Sequence, residues 1–420
     1  IETRHRFVAD RNRTSLGRVR PRILRMSALV TRVSRCVALA AAGTFREHTR
    51  RTVYHGVRRW VRPAEFQFRG AHSSIGFADR TTRRSITSSG SAHHTDDGNT
   101  DSDTCKRRKP GDMGVPIVYH PAYSKPVLPD NHRFPMPVFR EIYRKLIKDG
   151  VAVPGENLFQ PARMPSVEEL TAAHDDTYID KFRLGALDEK QMRKIGLPWS
   201  GDLVERTFAE VAGTILTADL ALTCGLAVNT AGGTHHAHYD FGSGYCIVND
   251  LAVTALRVLN RNAVDRVLIL DLDVHQGDGT ARILENDKRV FTLSVHCKEN
   301  FPAVKANSSL DIALPKGTGD ELYMKTVEAN LRETLEDFKP QLVLYDAGVD
   351  IHKNDSLGGF SVTDEGLIRR EALVLDTCIG RGIPVAAFVG GGYDSDMNAL
   401  VRRHCILHHV ARGIYESNKM

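Results

Sequence analysis

No run in this 420-residue chain approaches the roughly 18 uninterrupted apolar residues that a membrane-spanning helix needs, so no transmembrane segment is predicted. The seven cysteines, at positions 36, 105, 224, 246, 297, 378 and 405, include no C-x-x-C pair. That argues against a cysteine-based zinc module and a disulfide framework, and it is the pattern of a reducing compartment. Acidic residues are scarce at one end. Residues 1–110 hold 24 Lys and Arg (22 of them Arg) against 9 Asp and Glu, leaving 33 basic and 42 acidic residues in 111–420. The overall charge of +6 therefore averages two unlike pieces. No nucleic-acid recognition motif is present, and the acidic piece favours approach of basic substrates such as lysine-bearing tails.

Residues 1–84 have the Arg-rich, Ser/Thr-rich, acid-poor composition of an organellar transit peptide, which predicts a disordered segment and a mitochondrial or plastid destination. The chain starts at Ile1, so Met26 is expected to be the true start; from Met26 to Ala42 Arg is interspersed among apolar residues at roughly helical spacing. The alternative is a basic tail for a nuclear or cytoplasmic protein, with Arg83-Arg84 or Lys106-Arg107-Arg108-Lys109 as targeting clusters. Residues 85–112 are mostly Ser, Thr, Gly, Asp and His and read as a linker. A single catalytic domain is expected over 113–416.

The most informative stretch runs from Leu268 to Gly279, Leu-Ile-Leu-Asp-Leu-Asp-Val-His-Gln-Gly-Asp-Gly. Its apolar run predicts a buried parallel strand. At its end Asp271, Asp273 and His275 fall two apart, on one face. Carboxylates buried beside an imidazole need either ordinary hydrogen bonds or a cation such as Zn²⁺. Three further apolar runs discharge into polar or Gly-rich loops. Residues 225–229 precede Gly232-Gly233-Thr234-His235-His236, residues 341–345 precede Asp346 to Asp350, and residues 383–389 precede Gly390-Gly391-Gly392-Tyr393. In open parallel sheets, functional groups gather at such carboxyl ends. Further strands are predicted over 115–120, 264–271, 289–295 and 310–314, and helices over 203–222, 249–259, 320–338 and 363–379. This alternation predicts an α/β fold with a parallel sheet flanked by helices.

The four ordered motifs resemble those of zinc-dependent histone deacetylases, across about residues 115–415. Ile195 to Ser200, Asp273 to Gly277 and Leu357 to Ser361 are most similar to class IV members. The resemblance implies the arginase/deacetylase fold, a sheet of about eight strands, and hydrolysis of acyl-lysine in proteins, histone tails among them, with a role in chromatin regulation. Other amides, such as fatty acyl-lysine or an acetylated polyamine, would use the same machinery, and a catalytically silent scaffold would have lost part of it.

The resemblance also implies site residues. Asp273, His275 and Asp350 would hold Zn²⁺. His236 would be the general base, with Asp278 behind it; His235, paired with Asp271, would be its electrostatic partner. Tyr393 would donate to the developing oxyanion. Structural K⁺ would lie at Asp271, Asp273, His275, Ser294 and Val295. Gly244, Tyr245, Phe301, Leu357, Gly391 and Gly392 would contact substrate, with Tyr245 and Phe301 as opposing tunnel walls and Leu357 near the rim. Tyr245 stands where most relatives have Phe. The acidic residue by which class I and II enzymes grip the substrate backbone has no match in Pro198-Trp199-Ser200-Gly201-Asp202. His238 is expected to be structural.

Overall fold

The strands that carry the four motifs lie side by side. The computed structural model describes residues 114–420. The strands are β1 (Ile117–Val118), β2 (Leu158–Phe159), β3 (Leu226–Asn229), β4 (Val267–Asp271), β5 (Val290–Cys297), β6 (Leu310–Leu314), β7 (Leu342–Asp346) and β8 (Val385–Phe388). They form one sheet in the order β2-β1-β3-β8-β7-β4-β5-β6, with every pairing parallel. In β3, β4, β7 and β8 every residue is buried, as expected of parallel strands covered on both faces. Asp271 pairs with Asp346, and Asp346 with Phe388, so the carboxyl ends of β4, β7 and β8 are level.

Among the described residues ten α-helices flank the sheet: α1 (Val138–Lys148), α2 (Val167–Thr171), α3 (Asp176–Leu184), α4 (Glu189–Ile195), α5 (Gly201–Cys224), α6 (Asp250–Asn260), α7 (Asp278–Leu284), α8 (Asp320–Asp337), α9 (Asp364–Ile379) and α10 (Met397–Asn418). Asn249 and Thr363 cap α6 and α9, accepting from the N–H groups of Ala252 and Gly366. Helix α5 is long and apolar enough to cross a membrane, yet 67% of its apolar window is buried within the fold. Its buried Arg206–Glu210 pair (2.9 Å) faces the domain interior.

The predicted elements recur with shifted ends. The strand expected over 115–120 shrinks to two residues, and that over 264–271 starts at Val267, because the N–H groups of Asp265 and Arg266 bond to the Gln341 side chain. Helices α1, α2, α3, α4, α7 and α10 and strand β2 were not anticipated. The transit-peptide segment 1–84 and linker 85–112 lie outside the described residues.

Candidate active site

Past β4 the chain leaves the sheet, and its polar side chains turn inward onto one another. Asp273 accepts from the N–H groups of His275 (2.9 Å) and Gly391 (2.9 Å), and Asp350 accepts from Val274 N–H (2.9 Å). His275 Nδ1 lies 3.0 Å from Asp273 Oδ1 and 3.1 Å from Asp350 Oδ2. The three side chains are buried, with ligand atoms all within 4.8 Å of one another. A Cβ on Gly391 would stand 2.5 Å from both Asp273 Oδ2 and Asp350 Oδ2, so a side chain there would fill the cradle. Two carboxylates and an imidazole in this arrangement fit a divalent metal of the Zn²⁺ type. Burial alone would lower the pKa of His275, but hydrogen bonds to Asp273 and Asp350 carry it to about 10. Burial and the Asp273 charge push Asp350 up to about 8. A bound cation would displace those protons.

The paired histidines differ in environment. His236 Nδ1 lies 2.7 Å from Asp278 Oδ1, and His235 Nδ1 2.9 Å from Asp271 Oδ2. Burial, then the neighbouring His235, lowers the pKa of His236 to about 3. His235 goes the opposite way: burial would lower it, but the Asp271 and Asp273 charges raise it well above the usual histidine value. Adjacent side chains diverge on an extended backbone, yet the two rings lie with centroids 4.1 Å apart, after a turn at Gly232 and Gly233 whose φ angles of 98° and 89° are in the left-handed half of backbone space. His238, expected to be structural, lines the main cavity; its Nε2 lies 3.2 Å from Asp278 Oδ2, and its ring stacks on Phe241 at 4.2 Å.

Several supporting residues escaped the sequence reading. Asp250, at the start of α6, accepts from Gly233 N–H (3.1 Å) and Thr234 N–H (2.8 Å), fixing the turn before the histidines. Asp355 accepts from Tyr393 N–H (2.6 Å), and burial raises its pKa to about 6. Arg370 is buried and donates to the carbonyls of Gly348 (2.7 Å), Ala347 (2.9 Å) and Leu272 (3.3 Å), tying together the two loops that carry Asp273 and Asp350. Asp346, fully buried, has no hydrogen bond to either carboxylate oxygen among the described residues; one lies 3.8 Å from His235 Nδ1. Burial and the Asp271 charge raise its pKa well above the carboxylate range. His235, Asp271 and Asp346 form a second close cluster. An acid directly after an apolar strand was the available signal for Asp346.

A cavity of about 730 Å³ opens onto His236, His238, His275 and Asp278. Gly244, Tyr245, Phe301, Leu357, His236, His275 and Tyr393 all line it. Tyr245 adopts φ 68° directly after Gly244 at 54°, an unusual backbone for a bulky residue. The Phe301 ring stands edge-on to His236 at 4.7 Å and is 41% exposed. Gly391 and Gly392 border a second, small cavity of about 40 Å³, shared with Gly232, Gly233 and Arg206; they do not line the main one. The residues expected to hold K⁺ are neighbours: Ser294 on β5 pairs with Asp271 on β4, and Val295 follows it, buried.

The parallel sheet carries at its carboxyl end an acid–histidine cluster that could hold a metal ion. A family model described as histone deacetylase domain matches residues 132–408, and the chain belongs to that family. An uncharacterized protein of Picosynechococcus is 50% identical over 303 residues, covering 72% of this chain and 100% of its own length. Histone deacetylase 2 of Arabidopsis thaliana is 28% identical over 290 residues, covering 66% and 74% respectively. Histone deacetylase 8 of Xenopus laevis is 31% identical over 253 residues, covering 55% and 76%. The crystal structure of the HDA15 HD domain matches with a TM-score of 0.61 at 22% identity, covering 73% of this chain and 92% of that one, a likeness of fold.

Proposed function

We propose that this chain hydrolyses the amide of acylated lysine in proteins, using Zn²⁺ held by Asp273, His275 and Asp350. The convergence of those three buried side chains near the His236–Asp278 pair, with His275 reaching an aromatic-lined cavity, carries this reading. When bound, the ion acts as a Lewis acid on the acyl carbonyl and makes the attacking water more acidic. His236, kept neutral by its environment, takes the proton from that water and returns one to the leaving amine. Asp278 holds Nδ1 of that ring and leaves Nε2 toward the substrate. His235, held positive by Asp271 and the nearby Asp273, stabilises negative charge as it develops. The Tyr393 hydroxyl donates to the carbonyl oxygen as it becomes an anion. Gly244, Tyr245, Phe301 and Leu357 enclose the aliphatic stem, and Gly391 leaves room beside the carboxylates of Asp273 and Asp350. K⁺ at Asp271, Asp273, His275, Ser294 and Val295 would brace the β4–β5 ends.

The test is turnover of acyl-lysine peptides of increasing chain length, with a chelator control. No turnover of any of them, or turnover indifferent to the chelator, would contradict the proposal. Because the cavity is of a size that holds drug-sized ligands, acyl chains longer than acetyl are a supported second reading. We also assign the chain to the class IV branch and propose organellar import through its Arg-rich segment. A fluorescent fusion of residues 26–110 should enter mitochondria or plastids; a nuclear signal would refute that assignment.

A further inference from the structure

The charge at the cavity mouth is opposite to that of the domain. Residues 111–420 hold more acids than bases, 42 against 33. Yet the cavity lining includes Arg193, Lys194 and Arg282 and only one carboxylate, Asp278. Asp278 is buried and committed to His236 and His238. All three cations are exposed. They come from two separate helices, Arg193 and Lys194 from the last turn of α4 and Arg282 from the last turn of α7. Basic residues favour helix C-termini, which accounts for each on its own helix. It does not account for both helix ends facing one opening whose lining includes no exposed acid; exposed Glu189, paired with Arg193, and exposed Asp240, whose charge acts on Lys194, lie outside that lining.

Local structure holds these charges in place. The N–H groups of Gly244 and Tyr245 donate to the carbonyls of Lys194 (3.3 Å) and Ile195 (2.8 Å), fastening α4 to the cavity wall. Lys194 Nζ sits 3.2 Å from the centroid of the Phe241 ring. Arg193 pairs with Glu189 at 3.0 Å, but both side chains are largely solvated, so the pair is readily exchanged. Arg282 has no hydrogen bond or ion pair among the described residues.

We infer that this mouth selects acyl-lysine substrates whose flanking residues are acidic, Asp or Glu within a few positions of the acylated lysine. The inference rests on the deacylase reading above and names the substrate class of that same site. It reverses the preference that the domain's average charge suggests. Oriented charges at a cleft mouth act over about a Debye length, so the rim outweighs the distant acids for a peptide seated there.

The test uses the full chain and three peptides that share one acyl-lysine, flanked by Glu, by Gln or by Lys. kcat/KM is measured for each, and Kd by fluorescence anisotropy of the labelled peptides. The wild type should favour the Glu peptide over the Lys peptide by about tenfold at low ionic strength, in both readouts. The ratio should fall to within about twofold of unity in Arg193→Gln/Lys194→Gln/Arg282→Gln and in roughly 0.5 M salt. A ratio at or below one in the wild type overturns the inference, as does a ratio that the triple variant leaves unchanged. Preference for a succinyl-lysine peptide with Gln flanks over the Glu-flanked acetyl peptide would place the charge reading on the acyl chain and also overturn it. Turnover without charge preference removes this inference and spares the proposed activity; preferential binding of the Glu peptide without turnover does the reverse.

Discussion

Arg370→Met should weaken both the fold and the metal centre. The guanidinium bonds to three backbone carbonyls and to Glu371, while Glu371 also accepts from the Tyr345 hydroxyl (2.5 Å). Arg370 and Glu371 are 0% and 1% exposed, so solvent cannot replace what is lost. Methionine fills much of the volume but leaves the carbonyls of Leu272, Ala347 and Gly348 unpaired and a buried carboxylate uncompensated. Breaking a buried ion pair by removing one partner costs about 3–5 kcal/mol. The double variant Arg370→Met/Glu371→Leu removes the stranded charge and should recover about 1–4 kcal/mol of that loss. It should not recover metal affinity, because the carbonyls next to Asp273 and Asp350 remain untied. Urea unfolding would read the first effect and competition with a zinc-binding dye the second. If the single variant unfolds within about 1 kcal/mol of wild type, the claim that Arg370 ties the two loops is wrong.

His236→Ala should abolish turnover while leaving metal content intact, and His235→Ala should be milder; the opposite order in steady-state rates would reverse their roles. Tyr393→Phe should lower kcat by about 10²–10³ with little change in KM, and an unaltered kcat would exclude Tyr393 as oxyanion donor. Acid should destabilise the fold through His174, His404 and His408, whose pKa values burial lowers to about 4, 3 and 3. Their folded values lie below the unfolded value, so their contribution is complete above about pH 6.5 and declines as pH falls toward the folded pKa values. At pH 5 each ring should cost about 2 kcal/mol. His408→Leu should then lose less stability between pH 7 and 5 than wild type in urea titrations, and an equal loss would refute the assignment.

The sequence was most legible where strand chemistry and site chemistry coincide. An unbroken apolar run ending in Asp271, Asp273 and His275 announces both a buried parallel strand and the acids at its end, and the structure brings it beside the other three motif strands. Helix α10 was hidden because buried Arg403, His404 and His408 interrupt the apolar period that marks a core helix. Strand β2 has two residues, too few for any pattern. Asp250, Asp355 and Arg370 act on backbone N–H and carbonyl groups of distant loops, and no local spacing encodes such a partner. Charge at the mouth was equally illegible, since composition reports an average and the opening is a local arrangement of two helix ends.

The central claim is that Asp273, His275 and Asp350 hold a catalytic Zn²⁺. The most direct measurement is zinc content per chain alongside acyl-lysine turnover, for the wild type and for Asp350→Ala purified in parallel. The wild type should carry one zinc and lose activity on chelation, recovering it on zinc addition, while Asp350→Ala should lack both metal and turnover. Full zinc occupancy in Asp350→Ala, or wild-type activity that persists after the metal is removed, would contradict it.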